Sequence, residues 1–247
     1  MLLRDQVAVV TGATRGIGRA AMERLAAEGA SVVGVYNSSD KLAEELQSEL
    51  ALRGSDVRMF KGSVTDRSFI ASMMKQVYDE LGRMDILVNN AGISDDQLAL
   101  MMSEEQWDTV FRTNFTGTCI CCQEAIPYMA AGGGGKVVNV VSVSGVYGRE
   151  AQVNYAASKG AIIGLTKMLA RRYAADGIRL NALAPGMITT QMTDKVPLEK
   201  QHNFLRHTNM NRMGTAEEIA GSIVYLASPL SDYVSDHVLK ADGGFLR

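Results

Sequence analysis

The chain has 247 residues, of which 47% are hydrophobic and 21% charged, with a formal net charge of -2. That length suits one domain burying roughly 70–75% of its unfolded surface. The balanced charge gives no basic field for nucleic acid or an anionic membrane, and no apolar stretch is long enough to span a bilayer. Met-Leu-Leu-Arg runs straight into an apolar strand without the apolar core of a signal peptide, so a soluble, cytoplasmic protein is expected.

The first unit reads as strand, glycine turn and helix. Val7 to Val10 is apolar throughout, Thr11-Gly-Ala-Thr-Arg-Gly-Ile-Gly18 follows, and a helical pattern runs through Arg24, Leu25 and Ala26 to a stop at Gly29. Such a unit binds a dinucleotide: Gly12 permits the tight turn, Gly16 lets the backbone approach a pyrophosphate, and Gly18 lets the helix pack close, with the phosphates on the helix N-terminus. Strands then alternate with helices: Ser31 to Tyr36, a helix from about Lys41 to Arg53, Val57 to Lys61, a helix from Asp66 to Leu81, and Asp85 to Asn89. Ser39 or Asp40 is placed to cap the helix before Leu42.

A long helix is predicted from about Glu104 to Ala131, then a loop at Gly132 to Gly135, a strand from Lys136 to Ser142, a helix to about Asp176 and a strand from Ile178 to Leu183. The alternation predicts an α/β protein, a single Rossmann-type domain over residues 1–247, with a doubly wound parallel sheet and helices on both faces. Pro185 to about Gly214 is the one extended irregular stretch. It lies beyond the carboxyl end of a strand, where ligands bind in open α/β sheets, and is expected to form a substrate lid. Met187, Met192, Met210 and Met213 flank or lie in it, suited either to an adaptable acyl-chain contact or to packing.

Cys119, Cys121 and Cys122 share one helical segment without a base or a second cysteine cluster, and read as packing residues. His202, His207 and His237 are too scattered to indicate a metal site. Tyr155 and Lys159 form the sole Tyr-x-x-x-Lys pair, thirteen residues beyond Ser142. Positions i and i+4 share a helix face, so the ammonium is placed to lower the phenol pKa from its usual ~10. A serine hydroxyl that bonds a carbonyl oxygen, beside a tyrosine that delivers a proton, suits hydride transfer.

Thr11 to Gly18, Asn89-Asn90-Ala91-Gly92, Asn114, Ser142, Tyr155, Lys159 and Pro185-Gly186 resemble, in order and spacing, the motifs of the short-chain dehydrogenase/reductases. The resemblance covers essentially the whole chain. Asn90 to Leu98 and the ending Asp242-Gly-Gly244 look most like the 3-oxoacyl-(acyl-carrier-protein) reductases and related ketoreductases. It implies a catalytic set of Asn114, Ser142, Tyr155 and Lys159, with Asn114 holding a water that joins Lys159 to solvent and Lys159 also bonding the nicotinamide ribose. Asn89 and Gly92 would line the adenosine and ribose side of the cleft, and Pro185-Gly186, Ile188 and Thr190 the nicotinamide side. Taken alone, Asn114 also fits a bond across a helix, and Thr190 a helix cap.

The position that holds an acid in NAD-selective relatives reads Tyr36-Asn37-Ser38 here. Arg15 is the residue that the resemblance assigns to a 2′-phosphate, so NADPH/NADP+ is expected, with Thr14 and Ile17 as further cofactor contacts of the turn. Where many relatives carry an acid or amide before a valine to hold adenine, this chain has Ser63-Val64. The reading is an NADPH-dependent reductase of a 3-oxoacyl thioester on acyl carrier protein or coenzyme A, assembled as a homotetramer. The alternatives are a dehydrogenase of a secondary alcohol, sugar or steroid, and a dinucleotide-binding regulator without turnover. Gly133 and Asp176 stand where carrier-docking relatives place basic residues near the active-site mouth, and Asp95 replaces their frequent arginine before the Asp-x-Leu segment, which points to a specialised enzyme.

Overall fold

The computed structural model of the chain describes residues 1–191 and 193–245, with Lys195 described by its backbone alone. Seven strands form one parallel sheet: β1 (Val7–Thr11), β2 (Ser31–Tyr36), β3 (Val57–Lys61), β4 (Ile86–Asn89), β5 (Gly135–Val140), β6 (Ile178–Pro185) and β7 (Val238–Ala241). Their order is β3-β2-β1-β4-β5-β6-β7. The central strands bury both faces, which is why they read as continuous apolar runs.

Helices cover both faces. On one, α1 (Gly16–Ala27), α2 (Asp40–Leu52) and α9 (Ala216–Ala227) supply Met22, Leu25, Leu46, Leu50, Ile219 and Ile223 to a core with Ala8 and Val10. On the other, α3 (Arg67–Leu81), α5 (Gly117–Ala131) and α7 (Val153–Arg172) supply Ile70, Met73, Val77, Ile126 and Ala170 against Val9 and Leu87.

The expected elements form, with four differences that matter for the site. The long helix after Ser103 is broken: α4 (Glu104–Phe111) is joined to α5 by a π-helical turn, Arg112–Thr116, that carries Asn114. The serine strand ends at Val140, and Ser142 instead starts a short helix, α6 (Val143–Tyr147). The lid is not irregular throughout, since it holds a 3-10 turn, Thr193–Lys195, and α8 (Leu198–Arg206), a helix that follows Pro197 and contains neither glycine nor proline. Finally α9 and β7 complete the fold. The former starts on a capping box of Thr215 and Glu218, and the latter is a four-residue, half-buried edge strand.

Candidate active site

The strand order reverses between β1 and β4, and the crevice beyond their carboxyl ends is where a doubly wound sheet takes its ligand. The glycine turn closes onto this crevice. Gly12 has φ +66°, and a Cβ there would stand 3.0 Å from Ala91 Cα. A Cβ at Gly18 would stand 2.0 Å from the Gly12 carbonyl oxygen, so the first turn of α1 is pressed against the loop itself and no other residue fits. A Cβ at Gly16, at φ +50°, would stand 3.2 Å from the Thr190 methyl, so this glycine lets the turn lie close to the lid. Thr14 is buried and Ile17 packs into the core, which leaves backbone and Arg15 facing outward. Helix α1 has no side-chain cap and no acid in its first turn. Its leading N–H groups therefore remain available to an anion, as a pyrophosphate requires.

Asn90, which sequence reasoning left unassigned, ties β4 to this loop. Its amide donates to the carbonyls of Thr11 at 3.0 Å and Gly12 at 3.2 Å, while its backbone N–H and that of Ala91 both donate to the Thr11 hydroxyl at 3.0 Å. Asn89 turns the other way. Its amide donates to Asn139 Oδ1 at 2.8 Å and to Cys122 Sγ at 3.3 Å in the interior, so its side chain does not reach the cleft. Alternation along a strand sends these neighbours to opposite faces, and the sequence pair Asn-Asn does not say which is which.

Beyond the turn, the Arg15 guanidinium donates to Ser39 Oγ and, at 3.5 Å, to Gln191 Oε1. Ser39 occupies the N-cap position of α2, but its hydroxyl serves Arg15 and makes no cap. Asp40 is likewise engaged. Lys61 stands 2.6 Å from its carboxylate and holds it below the usual carboxylate range, with Tyr36 as a second partner. Asn37 and Ser38 are exposed between these groups. The opening thus presents a cation while its nearest acid is already neutralised. Ser63 bonds Thr65 at 2.8 Å and Val64 packs on Gly117, so both are spent on the turn after β3 and the start of α5.

At the other end of the crevice, Ser142 Oγ accepts the Ser144 N–H at 3.1 Å, which aims the serine proton away from α6. Tyr155, in the first turn of α7, shares a hydrogen bond with Ser142. Lys159 lies one turn on, 3% exposed, and donates from Nζ to the Val140 carbonyl at 2.8 Å. Its Nζ is 5.8 Å from the centre of the tyrosine ring. Burial lowers the lysine pKa to about 8. Burial also pushes the Tyr155 phenol up to about 12 against the opposing bond from Ser142; the Asp96 charge adds to the rise and that of Arg149 draws it down. The expected downward shift is therefore corrected: for this half-buried phenol the loss of water dominates over the opposing bond from Ser142, and Tyr155 holds its proton at neutral pH.

Asn114 is fully buried and clamps this end of the site. Its Oδ1 accepts the Ile93 N–H at 2.8 Å, and its Nδ2 donates to the Ile93 carbonyl at 3.0 Å and to Ser158 Oγ at 3.1 Å. A Cβ at Gly92 would meet Asn114 Oδ1 at 3.2 Å and Lys159 Nζ at 3.3 Å, so that glycine keeps open the space between them. The π-turn is the local device that rotates Asn114 into place, and a hydrophobic pattern alone does not reveal it.

The base of the lid is fixed. Pro185 ends β6, Gly186 donates to the Ala241 carbonyl at 3.1 Å, and a Cβ at Gly186 would lie 2.8 Å from Asp242 Cα. Ile188 is buried, and its carbonyl accepts the Thr193 hydroxyl at 2.7 Å, the same hydroxyl that accepts the Thr190 N–H at 2.9 Å. Met187 is buried and Met210 is exposed. Met213 accepts from the Thr189 hydroxyl at 3.6 Å, and Met192 lies outside the described residues. Helix α8 stacks Phe204 on Phe245, with centroids 4.4 Å apart.

Gly133 and Asp176 do come together, where Gly135 donates to the Gly177 carbonyl at 3.4 Å. They sit at the amino ends of β5 and β6, opposite Ser142, so within one chain they are not near the mouth of this site as expected. Asp95 is at the mouth, where its carboxylate accepts from Gln106 at 3.0 Å. Cys121 and Cys122 are buried and free, burial raising the Cys122 thiol to about 12, and Cys119 is half-buried. Among the described residues there is no group of three His, Cys, Asp or Glu placed to hold a metal, and no helix long and apolar enough to cross a membrane.

The chain belongs to the short chain dehydrogenase family, whose profile matches residues 6–201. With that family it is an oxidoreductase acting on CH–OH and C=O groups and served by a nicotinamide dinucleotide. It is 42% identical over 246 residues, the full length of both chains, to a 3-oxoacyl-(acyl-carrier-protein) reductase of Thermotoga maritima. To the protein of that name in Staphylococcus aureus it is 39% identical over 96% of each chain. A crystal structure described as a short-chain alcohol dehydrogenase from Sinorhizobium meliloti superposes with a TM-score of 0.93 at 35% identity, covering 98% of this chain and 97% of that one.

Proposed function

We propose that the protein reduces a 3-oxoacyl thioester to the 3-hydroxyacyl thioester with NADPH. The observation that carries the reading is the Ser142–Tyr155–Lys159 arrangement at the carboxyl end of β5, with a phenol that keeps its proton at neutral pH. The dinucleotide, when bound, supplies the hydride. Ser142, its own oxygen already accepting from Ser144, directs its proton to the substrate's 3-keto oxygen, and Tyr155 delivers the proton that the oxygen takes up. Lys159, close to a neutral pKa, reloads Tyr155 and bonds the nicotinamide ribose, while Asn114 holds the adjoining water path beside Gly92. The α1 N-terminus and the glycine turn hold the pyrophosphate, Gly186, Ile188 and Thr190 the nicotinamide side, and Arg15 the 2′-phosphate. The pairing of Asp40 with Lys61 supports the choice of NADPH, because the ammonium offsets the carboxylate charge that would repel that phosphate.

The named relatives support an acyl carrier protein as one source of the thioester, with coenzyme A as the other. Asp95 at the mouth supports a specialised enzyme of fatty-acid or polyketide synthesis that does not depend on an acidic general carrier. Exposed Trp107 and Met168, on the α4–α5 and α7 helices, support assembly as a homotetramer. The test is loss of NADPH absorbance with acetoacetyl thioesters, compared with secondary ketones, sugars and steroids. Exclusive turnover of one of the latter would move the substrate class, and tight NADPH binding without turnover on any carbonyl would favour a regulator.

A further inference from the structure

The turn between α6 and α7, Gly148 to Gln152, crosses the mouth of the site directly before Tyr155 and is pinned on three sides. Gly148 has φ +75°, and Ala151, which carries a Cβ, is held at φ +60°. Such a conformation in a non-glycine residue persists only where surroundings enforce it. Here they do. The Ala151 carbonyl accepts the Gln97 N–H at 2.8 Å, Gln152 donates to Asp96 at 2.8 Å, and Gln152 Oε1 accepts the Ser144 hydroxyl at 3.1 Å. Helix α7 is laced to the same loop, since Asn154 donates to the carbonyl of Asp95 at 3.0 Å and accepts the Tyr155 N–H at 2.7 Å.

These bonds consume the side-chain donors around Tyr155, with one exception. Gln152 and Asn154 are committed as described, and the Tyr147 hydroxyl accepts from Lys240 at 2.7 Å. Arg149, on the pinned turn and half-buried, makes no side-chain hydrogen bond or ion pair with any described residue, although its charge reaches the Tyr155 phenol. A guanidinium carried on a pinned turn with its donors unused is a fork awaiting an oxygen acceptor.

Resting on the reading of the substrate as a 3-oxoacyl thioester, we infer that Arg149 is a specificity-determining residue that binds the thioester carbonyl while Ser142 and Tyr155 hold the 3-keto oxygen. The two carbonyls are separated by one methylene group, so the second oxygen must come to rest beside the first. Arg149 is the uncommitted donor there among the described residues. The consequence is a preference for 1,3-dicarbonyl substrates over isolated ketones.

The test uses acetoacetyl-N-acetylcysteamine, which carries no phosphate, and its thioether analogue, in which a methylene replaces the thioester carbonyl, as a competitive inhibitor. In Arg149→Ala the Michaelis constant for the thioester is expected to rise roughly ten- to hundredfold, the range for losing a hydrogen bond from a charged donor. The inhibition constant of the thioether and the NADPH dissociation constant should stay within about twofold. Arg149→Lys should recover part of the loss, as a donor without the fork. Parallel rises for thioester and thioether would make the residue merely structural, and no rise in either would remove it from the site. A loss seen only with acetoacetyl-coenzyme A would assign it to phosphate, and each of these results overturns the inference. If the wild-type enzyme does not reduce the thioester at all, the substrate class itself fails.

Discussion

Lys159 should make the protein less stable than it would be without it. The side chain is 3% exposed, its cation is matched by one carbonyl rather than a carboxylate, and burial brings its pKa from the ordinary 10.5 to about 8. At about 1.4 kcal/mol per pH unit, holding that charge inside costs about 3 kcal/mol at neutral pH. Lys159→Met fills the same volume without the charge but leaves the Val140 carbonyl without its donor, which takes back about 1 kcal/mol. A net gain of about 2 kcal/mol is expected, or about 4–8 °C in Tm for a chain of this size. The sign with pH follows from the lowered value. The unfolded lysine binds its proton up to about pH 10.5 and the folded one only to about 8, so the wild type carries the full cost below pH 8 and loses it as pH rises between them. Thermal unfolding at pH 7 and pH 10, with the variant assayed in parallel, should show a more stable, inactive protein whose advantage shrinks at the higher pH. A variant less stable than wild type at pH 7, or an advantage unchanged at pH 10, would refute the reasoning.

Tyr155→Phe should keep NADPH affinity, read by fluorescence titration, and lose ~10²–10⁴ in kcat, the usual worth of a general acid; near-normal turnover would exclude the proton-donor role. The pH profile of kcat should fall above about 8, following Lys159, and not wait for the phenol near 12, so a plateau extending to pH 10 would separate the lysine from the relay. Arg15→Ala should raise the Michaelis constant for NADPH far more than that for NADH, and equal changes would remove it from the 2′-phosphate site. Comparing kcat/KM for one acyl chain on the host's general fatty-acid carrier and on coenzyme A tests the specialised reading; a preference for the carrier that weakens steeply with salt would overturn it.

The chain order of the glycine turn, the Ser142 strand and the Tyr155 helix was legible because each depends on local pattern: apolar runs of period two or none, helical spacing of period 3.6, and glycines that tolerate positive φ. Those same rules place Tyr155 and Lys159 on one face, and they left no doubt that the sheet is parallel. Contacts between distant segments escaped them. Whether Asn89 or Asn90 faces the crevice depends on the register of β4 against β1, and Asn114 depends on one added residue in a helical turn. The direction of the Tyr155 shift was misjudged for a related reason. Sequence spacing gives the distance to Lys159 but not how far either group is removed from water, and desolvation, a property of the packed whole, is the largest cause of the shift at each. The carrier-facing positions fail in the same way, because Gly133 and Asp176 meet at the amino ends of their strands, far along the sheet from Ser142. Residue types and spacings thus determined the fold and the kind of chemistry, while the tertiary structure decided protonation and which side chains face the cleft. Both depend on what water each group has lost, and that is set by residues far away in the chain.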